Sequence, residues 1–380
     1  MRTIAKSPFI IFVAALSTLC GSSAYAQSAA VTQPEPAGGS IAPLVSSSVA
    51  TTPTALSTPP QTPAPPQTPV PPPTSPAVLP GNGIMQYDFL YVGEWDTRNA
   101  MQTLKLVKHG KIVETYSIPI KMPDGRIEEF DDATMLSNGD IVFSRMRGAG
   151  KISPDGKLIW NYDAPVGTEV HSVVPVGDSH AWIMQNGNPA MALYINTVTN
   201  TIEKQIVIPT KTIHTHGQFR HLRLTKAGTL LVGHMDMGKV SEYDMTGKEI
   251  WSVPAKGPWA AVRLKNGDTL ISGDAYKYAR EVNPAGQTVW ELTQADIPDY
   301  TLGNIQECDR LDNGDTVICN WIAGYKDKSD WPNTAQVIEV NPQKKVVWAL
   351  RSWSNPDLGP ASSIQILNQP GKAEDGNLQR

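Results

Sequence analysis

Residues 83–371 of this 380-residue chain predict an all-β fold, a six-bladed β-propeller whose blades are four-stranded antiparallel sheets. Two recurring turns carry the prediction. Asn-Gly-Asp turns at 138–140, 266–268 and 313–315 separate runs rich in Val, Ile, Leu and Thr, and later in the unit a turn of the Gly-Lys type leads to a tryptophan. Turns of this composition supply the positive φ that hairpins need. The unit recurs at a spacing of roughly 40 to 50 residues, which is the period of a propeller blade.

The strand pattern also predicts how the ring closes. The first strands of five blades are expected to begin near Asp131, His171, Phe219, Trp259 and Gln306. A sixth first strand, at 362–367, has no partners after it, whereas three strands near the start of the propeller have no first strand before them: 89–93, 103–107 and 111–118. Joining the C-terminal strand to these three completes the sixth blade and removes the free sheet edge. Looser patterning at 101–131 and 296–306 leaves five or seven blades as alternatives.

A secretory signal peptide is expected at residues 1–26. Arg2 and Lys6 precede an apolar run at 9–16, and Ala24-Tyr25-Ala26 forms a small-x-small cleavage site. The apolar run is too short to span a bilayer, so no transmembrane segment is expected. The mature chain is therefore expected in the periplasm or as a secreted protein.

Residues 27–82 are expected to form a disordered linker, and residues 372–380 a C-terminal tail. The linker segment is rich in Pro, Thr, Ser and Ala, with 15 prolines and a single charge at Glu35. Such a composition buries too little apolar surface to offset the entropy of ordering the chain. The net charge is −4 and no basic run occurs, so neither a nucleic acid nor an anionic membrane is an expected partner. A monomer that binds a small molecule or a glycan is the expected state.

Two cysteines remain after signal cleavage. Cys308 and Cys319 flank the turn at 312–315, and a two-residue Asn-Gly loop is expected to place them opposite each other on paired strands. In an oxidising compartment this leaves a structural disulfide and two free thiols as alternatives.

Four units end in a turn and a tryptophan, at Trp160, Trp251, Trp290 and Trp348. Lys204 and Glu114 stand in the place of the tryptophan in the other two units. Over residues 87–371 these G-K-x-x-W endings resemble the tryptophan-docking repeats of the PQQ-like (quinoprotein-like) β-propeller superfamily. The resemblance implies the fold and does not imply the quinone, because the quinone-binding dehydrogenases are larger and use adjacent cysteines, which this chain lacks. The superfamily also includes a six-bladed arylsulfotransferase and a non-enzymatic outer-membrane assembly lipoprotein, so the fold alone does not choose a function.

The irregular segments are predicted to share one face of the ring. The short Asn-Gly-Asp and Gly-Lys turns lie on one face, whereas the loops between second and third strands and the connections between blades lie on the other, called here the loop face. The first residues of the innermost strands are expected to line the channel mouth there: Asp132, His171, His221, Trp259 and Glu307. Convergent polar groups with aromatic walls are typical of a ligand site.

Seventeen residues are candidates for this site. His171, His221, Arg220 and Arg145 are the catalytic candidates, because histidine titrates near neutral pH and arginine grips carboxylate or sulfate. The candidates for ligand binding are Glu94, Trp95, Arg147, Gln185, Gln218, Trp259, Asp274, Tyr276, Glu307 and Trp321. The candidates for a divalent metal are His214, His216 and His234, because His214 and His216 point the same way if their segment is extended. The alternative roles are loop hydrogen bonds for the histidines, salt bridges for the arginines and packing for the aromatic residues.

The leading hypothesis is an exported propeller that binds an anionic or carbohydrate-like ligand at its loop face, with lyase or hydrolase chemistry by His and Arg side chains. Elimination beside a uronate requires a positive group at the carboxylate and a base for the α-proton, and both residue types are present. One alternative is a non-enzymatic envelope assembly or interaction propeller. Another is sulfuryl transfer with a histidine nucleophile, as in the arylsulfotransferases. Whether the protein is an enzyme stays open, and a divalent metal is one alternative for a cofactor.

Overall fold

A ring of six four-stranded antiparallel sheets makes up the described part of the chain. The computed structural model describes residues 76–325, 327–376 and 379–380. The expected signal peptide and residues 27–75 of the expected linker lie outside the described residues. None of the described helices is long and apolar enough to cross a membrane.

Each blade runs from an innermost strand to an outermost one, as predicted. Blade 1 contains β24 (Ala361–Ile366), β1 (Phe89–Gly93), β2 (Met101–Lys108) and β3 (Lys111–Pro119). Blade 2 contains β4 (Phe130–Met135), β5 (Ile141–Arg145), β6 (Gly148–Ile152) and β7 (Leu158–Asp163). Blade 3 contains β8 (Glu169–Val176), β9 (His180–Asn186), β10 (Ala190–Asn196) and β11 (Thr201–Ile208).

The second half of the ring repeats this order. Blade 4 contains β12 (Phe219–Leu224), β13 (Leu230–His234), β14 (Lys239–Tyr243) and β15 (Glu249–Pro254). Blade 5 contains β16 (Ala261–Arg263), β17 (Thr269–Ser272), β18 (Tyr278–Val282) and β19 (Thr288–Thr293). Blade 6 contains β20 (Asn304–Arg310), β21 (Thr316–Trp321), β22 (Val337–Val340) and β23 (Val346–Leu350). Short 3-10 helices occur at Gly83–Met85, Thr215–Gly217, Lys328–Asn333 and Ala373–Asp375.

The C-terminal strand closes the ring, which confirms the prediction of six blades. Strand β24 pairs antiparallel with β1, and Tyr91 lies opposite Ile364. An apolar core fills each of the six interfaces between neighbouring blades, including the one between blades 6 and 1. The hydrophobic core is therefore a circle of interfaces, and the channel lies inside that circle.

Tryptophans on four outermost strands tie their blades to the next blade. In three blades the indole nitrogen donates to a residue of the next blade: Trp160 to Asn200 at 2.9 Å, Trp251 to Pro284 at 2.9 Å, and Trp290 to Pro342 at 3.0 Å. Trp348 of blade 6 donates to Gly83, in the segment before β1, at 2.8 Å. Lys204 and Glu114 occupy the same place in the register of their blades, next to a β-bulge as the tryptophans are. The repeat read from the sequence thus corresponds to one repeated docking contact.

The two cysteines are free and buried. Cys308 lies opposite Ile318, so Cys319 is one residue away from the expected pairing. A shift of one residue turns a side chain to the other face of a sheet. Cys308 accordingly packs between blades 5 and 6, and Cys319 packs between blades 6 and 1.

Segments at both ends of the described chain pack on the ring. Pro80, expected at the end of the linker, accepts a hydrogen bond from the amide of Ala349 at 3.2 Å. In the expected C-terminal tail, the side chain of Arg380 enters the channel from the short-turn face and donates to Ser363 Oγ at 2.9 Å. Gln379 O accepts from the amide of Arg310 at 2.9 Å.

Candidate functional site

A buried ion-pair network crosses the middle of the channel. Arg223 of blade 4 donates from Nη1 to Asp132 Oδ2 of blade 2 at 2.7 Å and from Nη2 to Glu307 Oε1 of blade 6 at 2.8 Å. Both carboxylates are almost completely buried. Burial acts to raise the pKa of Asp132, but the neighbouring charges, Arg223 first, together with the Arg223 hydrogen bond lower this pKa to about 2. The network ties alternate blades together and forms the floor of the loop-face mouth.

Above this floor lies a chain of charged side chains, called here the mouth chain: Asp131, His171, Glu169, His216 and Arg220. His171 Nδ1 lies 3.0 Å from Asp131 Oδ1, and His171 Nε2 lies 3.0 Å from Glu169 Oε2. The same Glu169 oxygen lies 3.0 Å from His216 Nδ1. Arg220 Nη2 donates to His216 Nε2 at 2.9 Å, and the guanidinium lies 4.7 Å from the ring of Trp259.

Local backbone structure explains how these residues meet. Asp131 and His171 stand near the starts of the innermost strands β4 and β8, and Glu169 is two residues before His171 on the same strand. His171 is the extra residue of a β-bulge between Val170 and Ser172, and bulges commonly re-aim a side chain. The 3-10 turn Thr215–Gly217 brings His216 over this end of blade 3.

Carboxyl groups at the mouth have pKa values shifted in opposite directions. Burial, followed by the charges of Asp131 and Glu129, raises the pKa of Glu94 well above its ordinary value. Burial and Asp131 likewise raise the pKa of Glu129. At Glu169 burial acts upward, but the hydrogen bonds and charges of the two histidines lower the pKa below its ordinary value. The mouth therefore combines carboxyls that hold their protons more tightly than usual with one that loses its proton more readily.

The mouth also contains buried polar atoms without a hydrogen-bond partner among the described residues. The acceptors are Asp131 Oδ2, Glu94 Oε2 and Asp274 Oδ1, and the donors are Arg220 Nε, Trp259 Nε1 and Trp321 Nε1. Buried polar groups in folded proteins are nearly always bonded, so such atoms point to a water, ion or ligand. The open edge of the mouth is formed by His216, whose side chain is 53% exposed, and Arg147, whose side chain is 22% exposed.

His221 lies one layer deeper than the sequence suggested, beside the ion-pair network. Arg223 Nη2 contacts His221 Nδ1 at 3.0 Å, and because arginine only donates, the His221 proton resides on Nε2. Burial and then the Arg223 charge lower the pKa of His221 to about 4. This histidine is therefore a neutral donor, and its tautomer opposes the expected role of general base. Glu307, expected to bind ligand, belongs to the same ion-pair network.

The three histidines expected to hold a metal do not meet. His214 is exposed, and the 3-10 turn after it removes the extended backbone that was to align it with His216. His234 lies inside blade 4, where its Nε2 is 2.8 Å from the hydroxyl of Tyr243. Burial and then the charge of Lys239 lower the pKa of His234 to about 3. Only His216 of the three joins the mouth chain.

Three other candidates are held by hydrogen bonds or ion pairs to neighbouring residues, which gives them a structural role. Arg145 bonds Glu128 at 2.8 Å and also pairs with Asp163. Gln185 accepts from the hydroxyl of Tyr162 at 2.6 Å, and Gln218 bonds both backbone groups of Gly187.

The remaining aromatic candidates sit at different depths. Trp259 is buried against Arg220, Trp95 and Trp321 are half-buried, and Tyr276 is 60% exposed. Lys256 and Tyr278, which were not candidates, line a surface groove with Tyr276. The aromatic wall expected around the mouth is therefore made chiefly by Trp259.

Sequence reasoning assigned no role to Glu129, Asp131, Glu169, Arg223 or Arg380. A signal for three of them was present, because Glu129 and Asp131, like Glu169 and His171, are two residues apart at the head of an innermost strand. Nothing in the sequence indicated that Arg223 crosses the channel or that Arg380 enters it.

A cavity of about 450 Å³ opens at the other end of the channel, on the short-turn face. Arg223 and Arg263 line it together with Gln379 and Arg380 of the C-terminal segment. We expected only turns on this face, so the cavity beside the C-terminal segment was not predicted.

Comparisons with known proteins support the fold. No protein-family model matches the chain, and none of the curated proteins matches its sequence. Among solved structures, a protein of unknown function from Bacteroides caccae is 25% identical, with a TM-score of 0.64 over 73% of this chain and 98% of its own. A streptogramin B lyase is 13% identical, with a TM-score of 0.48 over 73% of this chain and 86% of its own. The WD40 β-propeller domain of Doa1 is 13% identical, with a TM-score of 0.43 over 66% of this chain and 93% of its own. The resemblance to PQQ-like repeats stays a prediction.

Proposed function

We propose that the loop-face mouth of this exported propeller binds a neutral carbohydrate-like ligand. The observation that carries the proposal is the set of buried, unpartnered acceptors and donors around the mouth chain, including Asp131 Oδ2 and Arg220 Nε. A hydroxyl group both donates and accepts, so a hydroxyl-rich ligand satisfies acceptors and donors together. Trp259 Nε1 is a further buried donor without a partner among the described residues, which a ligand hydroxyl can satisfy.

The charges at the mouth favour a neutral ligand over an anionic one. Asp131 and Glu169 contact His171, Glu169 also lies 3.9 Å from Arg147, and Arg145 is already paired with Glu128 and Asp163. A uronate or a sulfate would therefore meet positive groups whose charge carboxylates already offset. The same arrangement disfavours sulfuryl transfer by His171, since both of its ring nitrogens face carboxylates.

We propose that the bound ligand is hydrolysed and not cleaved by elimination. Burial and the charges of Asp131 and Glu129 raise the pKa of Glu94 and favour its protonated form, which can protonate the leaving glycosidic oxygen. Water then adds at the sugar carbon and gives up its own proton to an ionised carboxylate. Elimination requires a cation held at a uronate carboxylate, whereas Arg145 is paired with Glu128 and Asp163, and Arg220 contacts His216 and the ring of Trp259.

Binding is tested first with a panel of neutral oligosaccharides, measured by titration calorimetry. Arg220→Gln is expected to weaken binding by about tenfold, because it removes donors to the ligand from a charged group. The matched control is Arg280→Gln, whose guanidinium lies 4.6 Å from Tyr278 outside the mouth, and it should bind as the parent does. No binding of any oligosaccharide, or equal loss in the two variants, would contradict the proposal.

Hydrolysis is tested by the release of reducing ends from the oligosaccharides that bind. Glu94→Gln is expected to lower the rate about 100-fold or more while binding is kept. Glu339→Gln is the control, since burial also raises the pKa of Glu339, to about 7, beside Tyr87 and away from the mouth. Binding without any release of reducing ends would overturn hydrolysis and leave a binding protein.

A further inference from the structure

Three side chains of the mouth chain have the composition and spacing of a metal site. Glu169, His171 and His216 each present one ligand atom, and these atoms all lie within 4.8 Å of one another. The Glu169 oxygen is 3.0 Å from each histidine nitrogen. Metal–ligand bonds of roughly 2.1 Å place neighbouring ligand atoms at roughly 3.0 to 3.4 Å, so the Glu169 oxygen is already spaced as a ligand from both histidine nitrogens.

Charge around His171 supports a cation at this point. Asp131 only accepts, so His171 Nδ1 carries a proton, and a neutral ring then directs its Nε2 lone pair at an oxygen of Glu169. Two electron-rich atoms 3.0 Å apart require a positive charge between them, either a second ring proton or a metal ion. Asp131 contacts the other ring nitrogen of His171. In many proteins a carboxylate in this position orients a metal-binding histidine.

We propose that Glu169, His171 and His216 bind one divalent cation of the zinc class. Two imidazole nitrogens and one carboxylate suit zinc and its neighbours in the first transition row better than calcium or magnesium. The bound ion replaces a proton on His171 Nε2, which passes to solvent. His216 moves its proton from Nδ1 to Nε2, and Arg220 Nη2 therefore gives up its contact with His216 Nε2.

The cation adds a metal to the proposed ligand site. This inference rests on the proposed function in one respect, that the mouth is the ligand site. His216 is half exposed, so the coordination positions opposite the three protein ligands face the open edge of the mouth. Sugar hydroxyls or water can fill these positions. Asp131 Oδ2, fully buried and unpartnered, lies beside the site as a further acceptor.

The experiment is a titration of the full chain with Co²⁺, followed by its visible absorption bands, which report the coordination geometry. One equivalent is expected to bind, and Zn²⁺ is expected to displace it. His216→Ala should abolish the bands without unfolding the protein, because its side chain is exposed. Asp131→Asn should weaken binding about 10- to 100-fold, as expected for a residue that orients a ligand.

His180→Ala is the matched control, since His180 lies 3.3 Å from Glu203 in another histidine–glutamate pair outside the mouth. It should leave the Co²⁺ bands unchanged. Absence of stoichiometric binding by the parent protein, or bands that survive His216→Ala, would overturn the inference. Oligosaccharide binding by a parent protein that takes up no Co²⁺ would remove this inference and leave the proposed function, whereas Co²⁺ binding without oligosaccharide binding would do the reverse.

Discussion

Replacing Arg223 with alanine tests the channel network most severely. The substitution leaves Asp132 and Glu307 buried without their main counter-ion, and unpairing a buried charge costs about 3 to 5 kcal/mol of unfolding free energy. Arg380 lies 3.8 Å from Asp132 and 3.4 Å from Glu307, so it compensates in part and the loss is expected near about 3 kcal/mol. Urea unfolding followed by tryptophan fluorescence measures the loss.

The loss should depend on pH in a defined direction. The folded pKa of Asp132 is lowered from 3.8 to about 2, so its pairing stabilises the fold above pH 4 and stops doing so as the pH falls towards 2. The difference between the parent protein and Arg223→Ala should therefore shrink over that interval. Lys265→Ala, which breaks an exposed pair with Asp312, should cost little at any pH. A loss at Arg223 no larger than that at Lys265 would refute the reasoning.

Three further predictions concern the blades. Cys308 and Cys319 should resist alkylation in the folded protein and react after unfolding, as read by peptide mass spectrometry, because burial raises the pKa of both thiols; a disulfide-linked peptide would contradict this. His234 should stay neutral down to about pH 3 in NMR titrations, and an ordinary titration near pH 6.5 would place it outside the blade. Trp251→Phe should cost about 1 kcal/mol through the lost hydrogen bond to Pro284, and no change in urea unfolding would argue against docking.

The fold could be predicted because most blades repeat the same turns and the same tryptophan on the outermost strand. Trp160 and Trp348 occupy equivalent positions 188 residues apart, and the unpaired strand at the C-terminus left one way to close the ring. The pairing of Cys308 was missed because the turn contains three residues and not two: the amide of Leu311 donates to Asp315 O at 2.8 Å, and the ladder then runs in one register from Arg310 and Thr316 to Cys308 and Ile318. An Asn-Gly pair occurs in turns of both lengths, so the sequence alone did not fix the register.

The site could be predicted only in outline. The sequence located the loop face and named His171, Glu94 and Arg220, which the structure brings together. The sequence did not show that His234 lies inside blade 4. A short motif does not distinguish a histidine in a blade interior from one in a loop. The sequence also showed no sign of the 3-10 turn before Gln218, which separates His214 from the mouth.

The most direct test of the proposed ligand site is histidine NMR during titration with a neutral oligosaccharide. Ring signals of His171 and His216 at the mouth should shift on binding. His109, in a turn, and His180, at the start of β9, both lie on the opposite face, and their signals should not move. Shifts confined to His109 or His180, or no shift at any histidine under saturating ligand, would contradict a ligand site at the loop-face mouth.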